Sequence, residues 1–157
     1  MSFPEPSENN AYLLEHITLI RDSLQRLTGK DFTDFGFSTK NLAKELYHAP
    51  FALVSHNTDP DPIFNYANLT AQKLFEMNWS EFTSLPSHQS AEVPNQEERS
   101  ELLKVVTTQG FIDNYAGIRI SKNQRRFQIQ DVLVWNLFNP ENQYYGQAAF
   151  WHHWQFL

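Results

Sequence analysis

The sequence has no cysteine among its 157 residues, which excludes disulfides, thiolate nucleophiles, iron–sulfur clusters and cysteinyl–flavin photochemistry. Basic residues are few, and the net charge of −6 argues against a general affinity for nucleic acid or an anionic membrane surface. No apolar run approaches the roughly 20 residues that span a bilayer, and the first ten residues do not resemble a signal peptide. We therefore expect a cytoplasmic protein with no nucleic-acid partner and no membrane partner.

Known catalytic and metal-binding motifs are also missing. There is no G-x-S-x-G, H-E-x-x-H, Walker loop or G-x-G-x-x-G. The six histidines include no pair at the four-residue spacing that places two imidazoles on one helix face. Two of them, His152 and His153, are adjacent, and adjacent residues of a strand point to opposite faces of a sheet. We predict no catalytic residue and no metal site.

Aromatic residues, by contrast, make up 15% of the chain and predict a well-packed core. Near the N-terminus, apolar residues recur at helical spacing after a possible N-cap, Ser7, and stop at Gly29. These residues are Leu13, Ile17, Ile20, Leu24 and Leu27. This narrow seam predicts a helix that either lies against the main domain or pairs with a second copy. A second short helix is predicted over 39–48.

After residue 50 the pattern changes to strands and short helices. FALVSHN and IFNYAN are typical of strands, and Asn68 and Asn78 are expected to cap two helices that follow. A longer helix over 95–109 precedes three strands connected as an antiparallel meander. The order predicts an α+β fold, with one five-stranded antiparallel sheet and helices packed on a face. We divide the chain into an N-terminal helical extension, 1–50, and a main domain, 51–157.

Several blocks of sequence resemble one known family in the right order. They are FNYAN, LFEMNWSEFTSLPS, SAEVPNQEERSELL, QGFIDNYAGIRIS, RRFQIQDVLVWNL and YYGQAAFWH. Together they are similar to the MEKHLA domain, a branch of the PAS-like folds, over about Leu13 to Trp154, in its stand-alone bacterial form. The resemblance implies a PAS-like sheet and central helices that form a cup. It also implies a sensory role in which flanking helices transmit a change. It names no cofactor or ligand, because PAS domains hold different molecules or none.

The last two strands are apolar on both faces, so we expect both faces of the sheet to be covered. In one strand a single face is predicted to carry Phe127, Ile129, Leu133, Trp135 and Leu137, interrupted by Asp131. In the last strand His152 is predicted to share a face with Phe150 and Trp154, and His153 to share the other with Trp151. The central helices would cover one face, and the N-terminal helix or a second subunit the other.

Polar residues among these rings are the candidate site. Asn136, Gln147 and His152 either bond to one another and to backbone or point into a ligand cavity, since burying them unbonded costs about 1–3 kcal/mol each. Tyr115 and Trp135 are the rings that we place beside such a cavity.

We therefore predict a non-catalytic sensory module that binds a small molecule, a protein partner or both. The alternative is a homodimerisation or interaction domain with a filled core, paired through its N-terminal helices or a sheet face. A cofactor-binding enzyme is the third hypothesis.

Overall fold

The computed structural model describes residues 3–157, and of Pro94 only the backbone. Its helices are α1 (Leu14–Thr28), α2 (Leu42–Tyr47), α3 (Leu69–Phe75), α4 (Trp79–Phe82) and α5 (Val93–Gln109). Its strands are β1 (Ala52–His56), β2 (Phe64–Ala67), β3 (Phe111–Ile120), β4 (Arg126–Phe138), β5 (Tyr144–Trp151) and β6 (His153–Phe156). Short 3-10 helices occur at Glu8–Asn10, Phe32–Phe35 and Ser87–Ser90. No helix in the described part of the chain is long and apolar enough to cross a membrane.

The N-terminal helix forms where the apolar seam predicts it and ends at Gly29, which adopts the left-handed conformation with φ 74°. Its start differs from the prediction. Ser7 precedes the 3-10 helix instead, and three residues with positive φ, 11–13, separate that turn from α1. These left-handed residues interrupt the predicted helix, so α1 begins at Leu14 rather than directly after Ser7.

The predicted caps of the central helices are confirmed. The Asn68 side chain accepts a hydrogen bond from the Ala71 N–H at the start of α3. Asn78 and Glu81 form a reciprocal capping box, each side chain accepting from the other's backbone N–H at 2.9 and 3.1 Å. Because these caps satisfy orphan donors locally, they could be read from the sequence alone.

The strands form one antiparallel sheet in the order β2-β1-β5-β4-β3, and β6 continues the line of β5 along β4. The predicted single last strand is thus two strands separated at His152. In the neighbouring strand the residue opposite this break, Asp131, has a φ of 52°, which is left-handed. The α+β class and the antiparallel sheet agree with the prediction, with six strands assigned where five were expected.

This break makes part of the predicted faces wrong, although Leu133, Trp135 and Leu137 share a face and His152 lies on the side of Phe150, as predicted. Phe127 and Ile129 pack in one layer with Val132 and Val134, whereas Leu133, Trp135 and Leu137 pack in the other. A left-handed residue interrupts the two-residue period, so side chains of the same parity change face across Asp131. Trp154 likewise packs on the opposite side from Phe150.

Two apolar layers cover the sheet. The inner layer joins the sheet to α3, α4 and α5, and includes Val54, Phe75, Leu102, Val132 and Trp151. The outer layer joins it to α1 and α2, and includes Ile17, Ile20, Leu24, Leu133 and Trp135. Helix α1 is also held by polar bonds, since the Trp135 indole N–H donates to the Ile20 carbonyl at 3.1 Å. The N-terminal helix, rather than a second subunit, therefore covers the outer face within the described chain.

Candidate functional site

The inner layer encloses a small cavity between the sheet and α5, which we call the cup cavity. Its walls are mostly apolar side chains from β1, β4, β5, α3 and α5. The polar side chains that line it are His56, Ser90, Arg99, Tyr115, Arg119 and Gln147. Its free volume is about 50 Å³, enough for one or two waters or a molecule of a few heavy atoms. An apolar pocket with a few converging polar groups is the usual design of a small-molecule site.

Two buried arginines dominate the electrostatics of the cup cavity. Arg99 from α5 is 7% exposed and Arg119 from β3 is 6% exposed. Burial, and then the like charge of Arg119, lower the pKa of Arg99 to about 10, so it stays protonated at neutral pH. The cavity is therefore a positively charged site inside an apolar layer.

Tyr115 and Arg119 both lie on β3, four residues apart, and their side chains are in contact. The Arg119 Nη2 donates to the Tyr115 hydroxyl oxygen at 3.1 Å, and that hydroxyl donates to the Glu98 carboxylate at 3.0 Å. The residue between them in the strand is Gly117, where an added Cβ would meet the Tyr115 hydroxyl and come within 2.9 Å of the Arg119 guanidinium. Glycine is thus required here because the tyrosine ring occupies the space of a side chain.

A chain of amides closes the other end of the cavity. The Gln147 Nε2 donates to the Asn136 Oδ1 at 3.0 Å, and the Asn136 Nδ2 donates to the Val106 carbonyl of α5 at 3.0 Å. His56 Nε2 lies 3.1 Å from Gln147 Oε1, and burial lowers the pKa of His56 to about 4. The other ring nitrogen, Nδ1, lies 2.9 Å from the Asn57 carbonyl oxygen, so both neighbours of His56 are acceptors and the neutral ring donates to one of them. These groups fasten the C-terminal half of α5 to the sheet.

One further donor lines the cavity. The Trp151 indole is 2% exposed, and its N–H has no hydrogen-bond partner among residues 3–157. A buried donor without an acceptor costs about 1–3 kcal/mol, so such a group is a reason to look for a ligand or water.

Of the five ligand-binding residues predicted from the sequence, only some lie together in the structure. Tyr115 and Gln147 line the cup cavity, and Asn136 bonds to Gln147 from the adjoining strand. Trp135 belongs to the outer layer beneath α1. His152 also lies on that side, with its ring 4.0 Å from the ring of Phe51. Trp135 and Asn136 are adjacent in β4, so the regular alternation of the strand places them on opposite faces of the sheet.

Sequence reasoning missed Arg99 and Arg119. A weak signal for both existed. Arg119 follows Tyr115 by four residues in a strand, so the two share a face, and Arg99 precedes Leu102 and Val106 at helical spacing. Arginine on an apolar face is usually interpreted as a solvated residue, and only the structure shows that both are buried.

The comparisons agree on the fold. The family model described as the MEKHLA domain matches residues 14–156. No curated protein matches the sequence. Among solved structures, a PAS domain from Colwellia psychrerythraea is similar with a TM-score of 0.59 at 17% identity, covering 73% of this chain and 92% of that one.

Light-oxygen-voltage domains are similar as well. One, solved in a study of a flavin analogue, has a TM-score of 0.58 at 16% identity and covers 76% of this chain and 86% of that chain. The light-state dimer of the fungal photoreceptor Vivid has a TM-score of 0.52 at 12% identity, covering 65% and 76%. At these identities the likeness concerns the fold, not the ligand.

A flavin does not fit the cup cavity as its side chains stand. Sites for ligands of drug size enclose roughly 300–1,000 Å³, against about 50 Å³ here. Trp151, Phe75 and Ile129 are large side chains that line this small space.

Proposed function

This chain belongs to the MEKHLA domain family, and we propose that it is a non-catalytic sensory module whose cup cavity binds a small molecule. The fold is that of PAS and light-oxygen-voltage sensory domains. In this proposal residues 51–157 sense the ligand and residues 1–50 transmit its presence. Tyr115 and Gln147 contact the ligand, and Asn136 positions Gln147.

The observation that carries this proposal is that one face of β4 lines the cup cavity and the other face packs against α1. Val132 and Val134 line the cup cavity, while the alternate residues Leu133 and Trp135 pack in the layer beneath α1. One strand therefore forms part of the cavity wall and part of the surface on which the N-terminal helix packs. A ligand that pushes on the inner side chains of β4 moves the side chains that hold α1.

Such coupling needs a ligand with different affinities for two arrangements of α1. The bond from Trp135 to the Ile20 carbonyl and the bond from the Phe138 N–H to Ser23 Oγ, 2.9 Å, are contacts that can differ between the two. We infer that ligand binding changes how firmly α1 is seated, and that a partner or second copy reads the change.

Native mass spectrometry of the purified protein tests the binding step. We expect a bound small molecule, released on unfolding, and expect it to be absent from Ala149→Leu, because the added carbons occupy the cup cavity. Val105→Leu, at an exposed apolar position on α5, is the matched control and should keep the ligand. A ligand-free wild type, together with flat thermal shifts across a metabolite panel, would contradict ligand sensing.

A homodimerisation module with a filled core is the second candidate. Two observations favour it: the cup cavity is small, and Leu14 on α1 is 52% exposed beside a groove that also includes Leu19, Phe138 and Tyr145. The same native spectra decide between the two. A ligand-free dimer that becomes monomeric in Leu14→Glu supports this candidate, and a ligand-bound monomer rejects it.

A further inference from the structure

We propose that the cup cavity binds a small monocarboxylate, whose carboxylate is held by the guanidinium groups of Arg99 and Arg119. This inference rests on the proposed function, because it names the ligand class of the same cavity. The ligand class follows from the charges and hydrogen-bond donors of the cavity, whereas the sensory role follows from the contact between β4 and α1.

The first reason is that two buried cations have no carboxylate in direct contact. Within residues 3–157, the ion pairs closer than 4.0 Å involve neither Arg99 nor Arg119. The charges of Asp61 and Glu98 act on Arg99 only from a longer distance, and Glu98 is linked to Arg119 through the Tyr115 hydroxyl. Buried charges are normally paired, and two like charges side by side raise the cost of burial further. An anion between the two guanidinium groups removes both penalties.

The second reason is that the unused hydrogen-bonding groups are donors. Arg99 makes no hydrogen bond within the described residues, Arg119 uses Nη1 and Nη2 on the Ile118 carbonyl and Tyr115, and the Trp151 N–H is unpaired. The Tyr115 proton is already donated to Glu98. A ligand that complements these groups must therefore bring acceptor oxygens and no obligatory donor.

The third reason concerns size and polarity. Apart from its polar end, the cavity is walled by Leu102, Ile129, Val132 and Val134. Its free volume of about 50 Å³ limits the ligand to a few heavy atoms. A planar carboxylate matches the fork of a guanidinium, and a short carbon chain matches the apolar wall. This combination favours an acid of about two to four carbons over inorganic phosphate, which has no apolar part.

Arg99 also marks the route into the cavity. It lines an open cleft on the far side of α5 together with Asp61, His88 and Thr107, as well as lining the cup cavity itself. A displacement of the Arg99 side chain would join the two spaces. The Arg99 guanidinium can therefore bind the anion in the open cleft and stay bound to it inside the cup cavity.

Calorimetric titration of the purified full chain with acetate, propionate and pyruvate, at constant ionic strength, tests the proposal. We expect binding of at least one acid, and binding of acetamide and propionamide, which have the same shape without charge, weaker by about tenfold or more. Equal binding of acid and amide, or no binding of any acid up to about 10 mM, overturns the proposal, since that limit corresponds to a negligible affinity. Phosphate binding without carboxylate binding overturns the ligand class.

Single substitutions then locate the site. Arg99→Gln and Arg119→Gln should each weaken acid binding by about tenfold, because one charged bidentate donor is lost. Lys40→Gln removes an exposed positive charge from the other side of the sheet and should leave binding unchanged. Removing one of two like buried charges should also leave the ligand-free protein at least as stable in urea. If either variant fails to fold, the comparison of acids with amides in the wild type still decides.

The two proposals fail separately. A bound neutral molecule in native spectra, with no affinity for acids, removes the carboxylate site and leaves the sensory module. Acid binding that leaves the accessibility of α1 unchanged keeps the carboxylate site and removes the coupling.

Discussion

At the scale of single residues, two buried histidines make stability depend on pH. Burial lowers the pKa of His16 and of His56 to about 4, below the 6.5 of an exposed imidazole. Between these values the unfolded chain binds more protons than the folded one, so stability is complete above pH 6.5 and falls as the pH approaches 4. The loss is about 3 kcal/mol for each group.

Urea unfolding of His16→Gln from pH 7.5 to pH 4 checks this. The variant loses the Nε2 bond to Ser55 Oγ, 2.9 Å, and should be less stable at pH 7. Its stability should nevertheless fall less steeply below pH 6.5, because one proton uptake is removed. His48→Gln, which replaces an exposed histidine, is the matched control. Equal slopes in wild type and His16→Gln would show that His16 is not buried in its neutral form.

At the scale of elements, the change of face in β4 depends on one exposed residue. Asp131 is left-handed, and its side chain faces solvent, so substitutions there change the backbone preference without removing packing. Asp131→Gly should be neutral or stabilising, and Asp131→Val should cost about 1–3 kcal/mol, since a β-branched residue is strained at positive φ. Urea unfolding measures both. A Val variant as stable as the Gly variant would mean that the strand adopts another register.

The same element shows how far the sequence could lead. The helices at Asn68 and Asn78 are predictable because their caps are local, and Tyr115 and Gln147 are predictable as site residues because they are polar positions on apolar strands. The faces of β4 were not predictable, because alternation assumes regular backbone and Asp131 carries no sequence mark that it breaks the period. Trp135, by contrast, is kept out of the cup cavity by regular alternation, because its neighbour Val134 lines the cavity, and its indole bonds to Ile20 instead.

At the scale of the whole molecule, the sheet separates a charged cavity from an amphipathic helix. The cavity side is held by hydrogen bonds from Asn136 and Gln147 to α5, and the helix side by Trp135 and Ser23. Each of these bonds joins a helix, α5 or α1, to strand β4 or β5. The central claim is that the state of the cup cavity determines how firmly α1 is seated on the sheet.

Thiol labelling of Ser23→Cys tests that claim most directly. The chain has no cysteine, so this residue of α1, 2% exposed, becomes the only thiol. We expect it to react faster in an Ala149→Leu background than in a Leu74→Ala background of matched unfolding free energy, because Leu74 lies on α3, which packs on β1 and β2. Ser100→Cys, exposed on α5, gives the unprotected rate. Equal rates in the two backgrounds would contradict the claim that the cup cavity controls α1.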